Sequence, residues 1–131
     1  MKQTKAPGYK KLIVWQNAKK LRKLVYDITV RFPRSEMRRT SQMRDSARSV
    51  KQNIQEGYQR YSIKEYIRFL DISKGSLGEL SGDVEDCFED KLITEEEFKK
   101  IDKLCGTTDY LLARLISSLR KKVKDGTWVK Y

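Results

Sequence analysis

Residues 42–60 read QMRDSARSVKQNIQEGYQR and combine an apolar and a basic stripe on one predicted helix. The apolar stripe recurs at steps of four and three residues, the spacing of one helix face: Met43, Ala47, Val50 and Ile54. Three cations follow the same steps one residue later, about 100° further around the helix: Arg44, Arg48 and Lys51. The stretch therefore predicts a helix that packs through one face and presents cations beside it, which suits binding to an anionic polymer.

Apolar residues recur with the same spacing in the segment before this stretch. Helix 1 is predicted from Leu12 to Arg31, because Pro33 cannot continue a helix. Its apolar stripe is Val14, Ala18, Leu21, Val25, Ile28 and Phe32. Helix 2, which contains the opening stretch, is predicted from Glu36 to about Glu56. Ser35 is its expected N-cap, and Gly57 is its expected left-handed C-cap residue.

Two capping-box patterns predict the starts of two further helices. Ser62–Glu65 opens helix 3, which continues to about Asp90, and Thr94–Glu97 opens helix 4. The predicted seam of helix 3 is Tyr66, Leu70, Ser73, Leu77, Leu80, Val84 and Cys87. The predicted seam of helix 4 is Phe98, Ile101, Cys105, Thr108, Leu112, Leu115 and Leu119.

These segments predict an all-α fold, because no segment alternates with the period of two that is typical of strands. Connections of about three to six residues make sequential helices antiparallel, which gives an up-down-up-down four-helix bundle over residues 12–123. Residues 1–11 are predicted to be a flexible basic arm. Residues 124–131 form a short tail whose Trp128 and Tyr131 are expected to dock onto the bundle.

The charge of the chain is unevenly distributed. The net charge of +11 arises in the first half, where residues 1–68 hold 18 Lys and Arg against 5 Asp and Glu. Residues 69–131 hold 11 Lys and Arg against 13 Asp and Glu. Such asymmetry attracts an anionic partner. Three interpretations remain open at this point: nucleic acid, an acidic protein, or a surface that is merely solvated.

Several functional classes are excluded by composition. The chain has no histidine, which rules out Ser-His-Asp and Cys-His sites and the Glu-x-x-His ligands of di-iron bundles. Cys87 and Cys105 fall on apolar stripes, which predicts core thiols in a reducing compartment. No apolar run is long enough to span a membrane, and no secretory signal is recognisable. We expect a cytoplasmic protein without enzymatic activity, cofactor or metal.

Ten cations make up the predicted nucleic-acid-binding surface. Arginine dominates on helix 2, and arginine is preferred where planar, bidentate contacts to phosphate matter. No zinc-finger, RNP or helix-turn-helix signature is present, so binding is expected to depend on charge and shape. The ten residues are Lys19, Lys20, Arg22, Lys23, Arg38, Arg39, Arg44, Arg48, Lys51 and Arg60.

The end of helix 2 admits two interpretations. Tyr58 and Tyr61 lie beside Arg60 and either stack on exposed bases, as in single-strand recognition, or anchor the loop. Similarly, Asn53, Glu56 and Arg60 either form part of a binding surface or satisfy helix-end groups, with Arg60 paired to a carboxylate.

Small residues in the middle of helix 3 predict the close approach of another helix. Two alternatives are open for this run: packing inside the bundle, or packing against a second subunit. The run is Ser73, Gly75, Ser76 and Gly78. Extra apolar positions on helix 1, at Trp15, Leu24 and Tyr26, also favour a second buried face and self-association.

The sequence resembles the four-helix-bundle proteins encoded by intervening sequences of some bacterial 23S rRNA genes, known as S23-like proteins. The resemblance covers about residues 12–119. Its most specific blocks are NIQEGYQR at 53–60 and GSLGEL at 75–80. Further matching blocks are LIVWQNA at 12–18, FP at 32–33 with Glu36, QMR at 42–44 with Ala47, SV at 49–50, and FL at 69–70.

The resemblance implies a compact antiparallel bundle that assembles into a homopentameric ring, with no catalytic residues. A related branch, the accessory variability proteins of diversity-generating retroelements, binds the element's reverse transcriptase and nucleic acid. With the basic bias, the expected function is that of a non-enzymatic accessory factor to a reverse transcriptase. The alternative is an assembly module whose basic face binds an acidic protein or RNA without a reverse transcriptase.

Overall fold

The computed structural model describes residues 8–126, and over this range it contains helices and no strand. The four long helices are α1 (Ile13–Thr29), α2 (Met37–Tyr58), α3 (Ile63–Glu89) and α4 (Glu95–Asp125). Each helix packs on two neighbours, in the closed order α1, α2, α3, α4 and back to α1. The predicted all-α four-helix bundle is confirmed.

The core consists largely of the predicted stripes, although Phe32 and Phe98 are only half-buried and the register changes once on α4. All seven predicted positions of α3 are buried, as are Met43, Ala47, Val50 and Ile54 of α2. On α4, Ile116 is buried and Leu115 is only half-buried. The step of four residues from Leu112 keeps Ile116 on the buried face, whereas Leu115 lies at its edge.

Both cysteines are buried free thiols, as predicted. Burial raises the pKa of the Cys105 thiol to about 11. Burial also raises the pKa of Cys87, although the nearby Arg39 guanidinium partly opposes that shift. Both sulfurs are therefore protonated at neutral pH, as expected of small core side chains.

The N-terminal segment is more ordered than predicted. Gly8–Lys11 forms a 3-10 turn, in which the Tyr9 ring lies edge-on to Trp15 at 5.4 Å and to Tyr58 at 6.5 Å between centroids. Prediction of a flexible arm is therefore wrong for residues 8–11, because aromatic packing fixes this turn against the end of the bundle. Residues 1–7 lie outside the described range.

At the C-terminus, α4 extends through Asp125, two residues beyond the predicted end of the bundle. Gly126 then adopts a left-handed conformation with φ of 67° and closes the helix. The predicted docking of Trp128 and Tyr131 falls outside the described residues.

Gly57 is not the left-handed C-cap that the sequence predicted. It lies inside α2, which continues to Tyr58, and it is buried. A Cβ at this position would lie 2.9 Å from the Cβ of Phe69 and 2.9 Å from Cδ1 of Tyr66. The glycine is therefore needed because the first turns of α3 approach α2 too closely for any side chain.

The starts of the helices agree with the predictions fully on α4, in part on α3, where only the Ser62 half of the capping box is present, and not on α2. The Ser62 hydroxyl accepts from the Glu65 amide at 3.3 Å, and both bonds of the Thr94–Glu97 capping box are present. Glu97 additionally pairs with Arg31 at the end of α1. On α2, the predicted Ser35 cap is wrong, because Arg34–Glu36 first forms a 3-10 turn and Glu36 precedes the helix.

The small residues of α3 fall into two groups, one packed inside the bundle and one exposed. Ser73 is buried and its hydroxyl donates to the Val50 carbonyl at 2.7 Å, while the Ser76 and Ser49 hydroxyls are bonded at 2.7 Å. Ser73 and Ser76 of α3 thus pack inside the bundle. Gly75 and Gly78 are exposed, and a Cβ on either would meet no atom within 4 Å.

Candidate nucleic-acid interface

Cations from α1 and α2 converge on one side of the bundle. The pKa of the Lys51 ammonium group is lowered, mainly by partial burial and next by four nearby cations. These four cations therefore lie close to Lys51. Those four are Arg22, Arg48, Lys19 and Lys10. Together with Arg44, these residues are called the cationic face: Lys10, Lys19, Arg22, Arg44, Arg48 and Lys51.

Arg44 is fixed within the cationic face by two contacts with α1. Its Nε donates to the Thr29 hydroxyl at 2.9 Å, and its guanidinium carbon lies 4.2 Å from the centroid of the Tyr26 ring. Thr29 is buried and fixed in turn, because its hydroxyl donates to the Val25 carbonyl at 2.7 Å. The bond uses only Nε, so the two terminal amino groups of Arg44 are oriented donors for a ligand.

A small pocket of about 90 Å³ lies beside Arg44. It is lined by three guanidinium side chains, one tyrosine and one carboxylate: Arg22, Arg44, Arg48, Tyr26 and Asp45. Three cations against one anion give the pocket a net positive charge. Guanidinium groups bind phosphate oxygens in planar, bidentate geometry, so the arrangement suits a phosphate group.

The other end of the cationic face is built around Trp15 and Gln55. The Trp15 indole nitrogen donates to the Gln55 side-chain oxygen at 2.8 Å, and Lys51 Nζ donates to the same oxygen at 3.0 Å. Lys51 Nζ and Lys19 Nζ lie 5.8 and 5.7 Å from the Trp15 ring. The shared acceptor and the ring fix Lys51 beside the core.

Lys20 and Lys23, predicted as part of the same surface, border a different feature. They line a groove of about 670 Å³ between α1 and α4, to which Lys100 and Leu104 of α4 also contribute. Lys23 is paired with Asp27 at 2.8 Å. The basic surface of helix 1 therefore has two sides, one facing α2 and the other facing α4, and Lys19 borders both.

Three of the ten predicted residues lie apart from both features. Arg39 pairs with Glu36 at 3.1 Å and with Asp90 at 2.9 Å, and these bonds raise the pKa of its guanidinium. Arg60 pairs with Glu56 at 3.2 Å. Arg38 is exposed in the first turn of α2, more than one turn before Arg44. Acidic neighbours at helical or cross-helix spacing thus hold Arg39 and Arg60 in structural contacts.

The aromatic and polar residues at the end of α2 follow the structural interpretation at most positions. Tyr58 anchors the chain, since its ring lies edge-on to Tyr66 at 6.0 Å between centroids. Asn53 donates to the Ser49 carbonyl at 2.8 Å, which ties its side chain to its own helix. Tyr61, in contrast, is 97% exposed.

Sequence reasoning missed Tyr26 and Thr29 as supports for Arg44, and it missed Lys10 and Lys100 as contributors to the two surfaces. The signal available for Tyr26 was its position four residues after Arg22 on the same helix face. Nothing local signalled Thr29, because its bond to Arg44 crosses from α1 to α2.

Comparisons with known proteins agree with this architecture. The sequence profile described as 23S rRNA-intervening sequence protein matches residues 10–114. No curated protein matches the sequence significantly. Among solved structures, a protein of unknown function from the S23 ribosomal protein family of Bacteroides thetaiotaomicron VPI-5482 superimposes with a TM-score of 0.74 at 22% identity. That alignment covers 79% of this chain and 98% of the other.

One further property concerns membranes. None of the helices within residues 8–126 combines the length and the apolar character that a membrane span requires.

Proposed function

The chain belongs to the family of 23S rRNA-intervening sequence proteins, and from this premise we propose that it is a non-enzymatic, homo-oligomeric protein that binds nucleic acid through its cationic face. The observation that carries this proposal is the fixed position of Arg44 between Tyr26 and Thr29. A surface arginine that only aids solubility needs no such support. A preorganised guanidinium loses less side-chain entropy when it binds a phosphate.

The grouping of cations also favours a phosphate backbone over an isolated anion. Lys10, Lys19 and Lys51 extend the positive surface beyond the pocket that Arg22, Arg44 and Arg48 line. Each phosphate neutralised by such a surface releases counterions, which gives charge-driven binding with little dependence on base sequence. The ligand proposed is therefore RNA, DNA or an RNA–DNA hybrid.

The biological role proposed is that of an accessory factor to a reverse transcriptase in a diversity-generating retroelement. It rests on the resemblance to the accessory branch of the family and on the positive charge of residues 1–68. We place the protein in the cytoplasm, where two buried free thiols such as Cys87 and Cys105 stay reduced.

The assembly proposed is a homopentamer, as the family resemblance implies. Gly75 and Gly78 on α3 leave an open surface that a second subunit can approach closely. A pentamer of the 15.5 kDa chain would have a mass of about 78 kDa in light scattering. A monomeric mass at micromolar concentration would contradict this part of the proposal.

Charge reversal on the cationic face tests the binding proposal. We expect Arg44→Glu combined with Arg48→Glu to abolish binding to a labelled single-stranded oligonucleotide, with helix content and oligomer mass unchanged. The matched control is Lys103→Glu combined with Lys121→Glu, which changes the net charge equally at exposed positions of α4. Equal losses in both variants, or unchanged affinity in the first, would contradict the assignment of the site.

The alternative function is an assembly module whose basic surface meets an acidic protein. The groove between α1 and α4 favours this alternative, because its lining is largely apolar and its cations are lysines. Association with a partner protein that survives nuclease treatment would support it. Association that disappears with the nucleic acid would support the nucleic-acid proposal.

A further inference from the structure

The groove between α1 and α4 differs in chemistry from the cationic face. Its floor is apolar and formed by Trp15, Leu24 and Leu104, of which the two leucines are only half-buried. The cations at its edge are all lysines: Lys19, Lys20, Lys23 and Lys100. The groove therefore combines surface that is best covered by apolar side chains with a rim that attracts anions.

The charge of the rim is strongly unbalanced. Asp27 is the single carboxylate in the lining, and it is already paired with Lys23 at 2.8 Å. Lys19, Lys20 and Lys100 are exposed. A ligand with carboxylates along both edges would meet these lysines without repulsion from neighbouring acidic groups, which is the electrostatic complementarity of a specific interface.

The length of the groove along α1 fits a helix of about three turns. From Trp15 to Asp27 it follows about 18 Å of α1, or more than three helical turns. A helix that lays its apolar face into such a groove uses side chains spaced at i, i+4 and i+7. A nucleic-acid backbone would leave the apolar floor largely uncovered, because its outer surface is polar and charged.

We propose that the groove between α1 and α4 binds an acidic amphipathic helix of a partner protein. The apolar side of that helix covers Leu24 and Leu104, and its flanking carboxylates pair with Lys20 and Lys100 on the two walls. Lys19 and Trp15 border both the groove and the cationic face, but the phosphate pocket of Arg22, Arg44 and Arg48 shares no residue with the groove. One molecule can therefore hold a protein partner and a nucleic acid together.

The test uses a synthetic peptide of about 16 residues, with leucines at i, i+4, i+7 and i+11 and glutamates on both flanks. Fluorescence anisotropy of the labelled peptide measures its binding to the full chain. We expect saturable binding that Lys20→Glu with Lys100→Glu weakens by about tenfold or more. Leu104→Gln should weaken it as well, whereas Lys103→Glu with Lys121→Glu should have little effect.

Two control peptides separate this interface from general charge attraction. A scrambled peptide of the same composition, without the helical spacing of the leucines, should bind weakly, and so should a version with lysine in place of glutamate. Equal binding of the scrambled peptide would overturn the proposal. Equal losses in the groove variant and in the α4 control variant would overturn it as well.

Other occupants of the groove give distinct results. If a second copy of this chain fills it, Leu104→Gln will lower the oligomer mass in light scattering. If the groove belongs to the nucleic-acid surface, Lys20→Glu with Lys100→Glu will weaken oligonucleotide binding far more than the control variant does. Either result would overturn the proposal. Arg44→Glu with Arg48→Glu should affect peptide binding no more than Lys103→Glu with Lys121→Glu does. The peptide test is therefore independent of the phosphate site.

Discussion

The guanidinium carbon of Arg44 lies 4.2 Å from the centroid of the Tyr26 ring, while Arg44 Nε donates to the Thr29 hydroxyl at 2.9 Å. Two neighbouring helices thus hold one half-buried guanidinium group in one position, because Tyr26 and Thr29 lie on α1 and Arg44 on α2. The cationic face depends on how these two helices pack, in addition to the charge of either one.

The Tyr26 ring should contribute to affinity through Arg44. A cation–π contact at an exposed site contributes about 0.5–1 kcal/mol, so Tyr26→Ala should weaken oligonucleotide binding by about threefold. Tyr26→Phe retains the ring and should bind like the native chain. Anisotropy titrations of both variants check this expectation. If Tyr26→Phe and Tyr26→Ala weaken oligonucleotide binding equally, the Tyr26 hydroxyl group contributes to affinity and the ring does not.

Glycine substitutions should affect stability in opposite directions at two positions. Gly57→Ala should destabilise the fold by about 1–3 kcal/mol, because the new methyl group overlaps Phe69 and Tyr66. Gly82→Ala should stabilise it by about 0.5–1 kcal/mol, since its methyl group enters open space on a helix. Urea unfolding of both variants measures the two changes.

Gly78→Ala reports on assembly, because the proposed second subunit approaches this position. A loss of oligomer mass in Gly78→Ala would show that another subunit packs against this position. A loss of stability at Gly78 without any change of mass would contradict the open environment seen at this glycine.

Glu97 should make the fold more stable towards neutral pH. Its pKa is lowered by the hydrogen bond from Arg31 and by the Thr94 backbone amide. A carboxyl group whose pKa is lower in the folded state stabilises above its unfolded value near 4.5, and this stabilisation is lost as pH falls through the folded pKa. Glu97→Gln should lower the free energy of unfolding at pH 7 by about 1 kcal/mol. If the stability of Glu97→Gln decreased below pH 4.5 as steeply as that of the native chain, this role of Glu97 would be contradicted.

Asp83 should act in the opposite direction. Partial burial raises its pKa, and the neighbouring Asp86 adds to the shift. Because the folded state prefers the protonated form, stability should decrease as pH rises from 3.8 through the folded pKa. Asp83→Asn keeps an acceptor for Gln42, which bonds this carboxylate at 3.3 Å. Its urea midpoint should exceed that of the native chain at pH 7 and match it at low pH.

Much of the fold could be predicted from the sequence, because helical periodicity and capping signals are local. The buried stripe of α3 and the Thr94–Glu97 capping box are examples. Gly57 shows where local reasoning failed. A glycine near the end of a predicted helix usually indicates a left-handed cap. Here a glycine is required because Phe69 and Tyr66 of α3 leave no room for a side chain at position 57.

The candidate site was less predictable, because its geometry arises between helices. Arg44, Arg48 and Lys51 could be placed on one face from their spacing alone. The pairing of Arg39 with Asp90 depends on the packing of α2 against α3, and no local pattern indicates it. The same limit applies to Lys20 and Lys100, which line one groove although 80 positions separate them in the chain.

The most direct test of the central claim is a salt titration of binding to labelled RNA, single-stranded DNA and an RNA–DNA hybrid, with protein of defined oligomer mass. For a single strand, log affinity should fall with log salt concentration at about 0.7 per phosphate contacted, so four contacts give a slope of about −3. Arg44→Gln with Arg48→Gln, which removes both charges without reversing them, should reduce the magnitude of that slope by about 1.4, as expected for two lost contacts. A steep slope that this variant reduces would establish the cationic face as a phosphate-binding surface. A flat slope, or no binding near physiological salt, would contradict it.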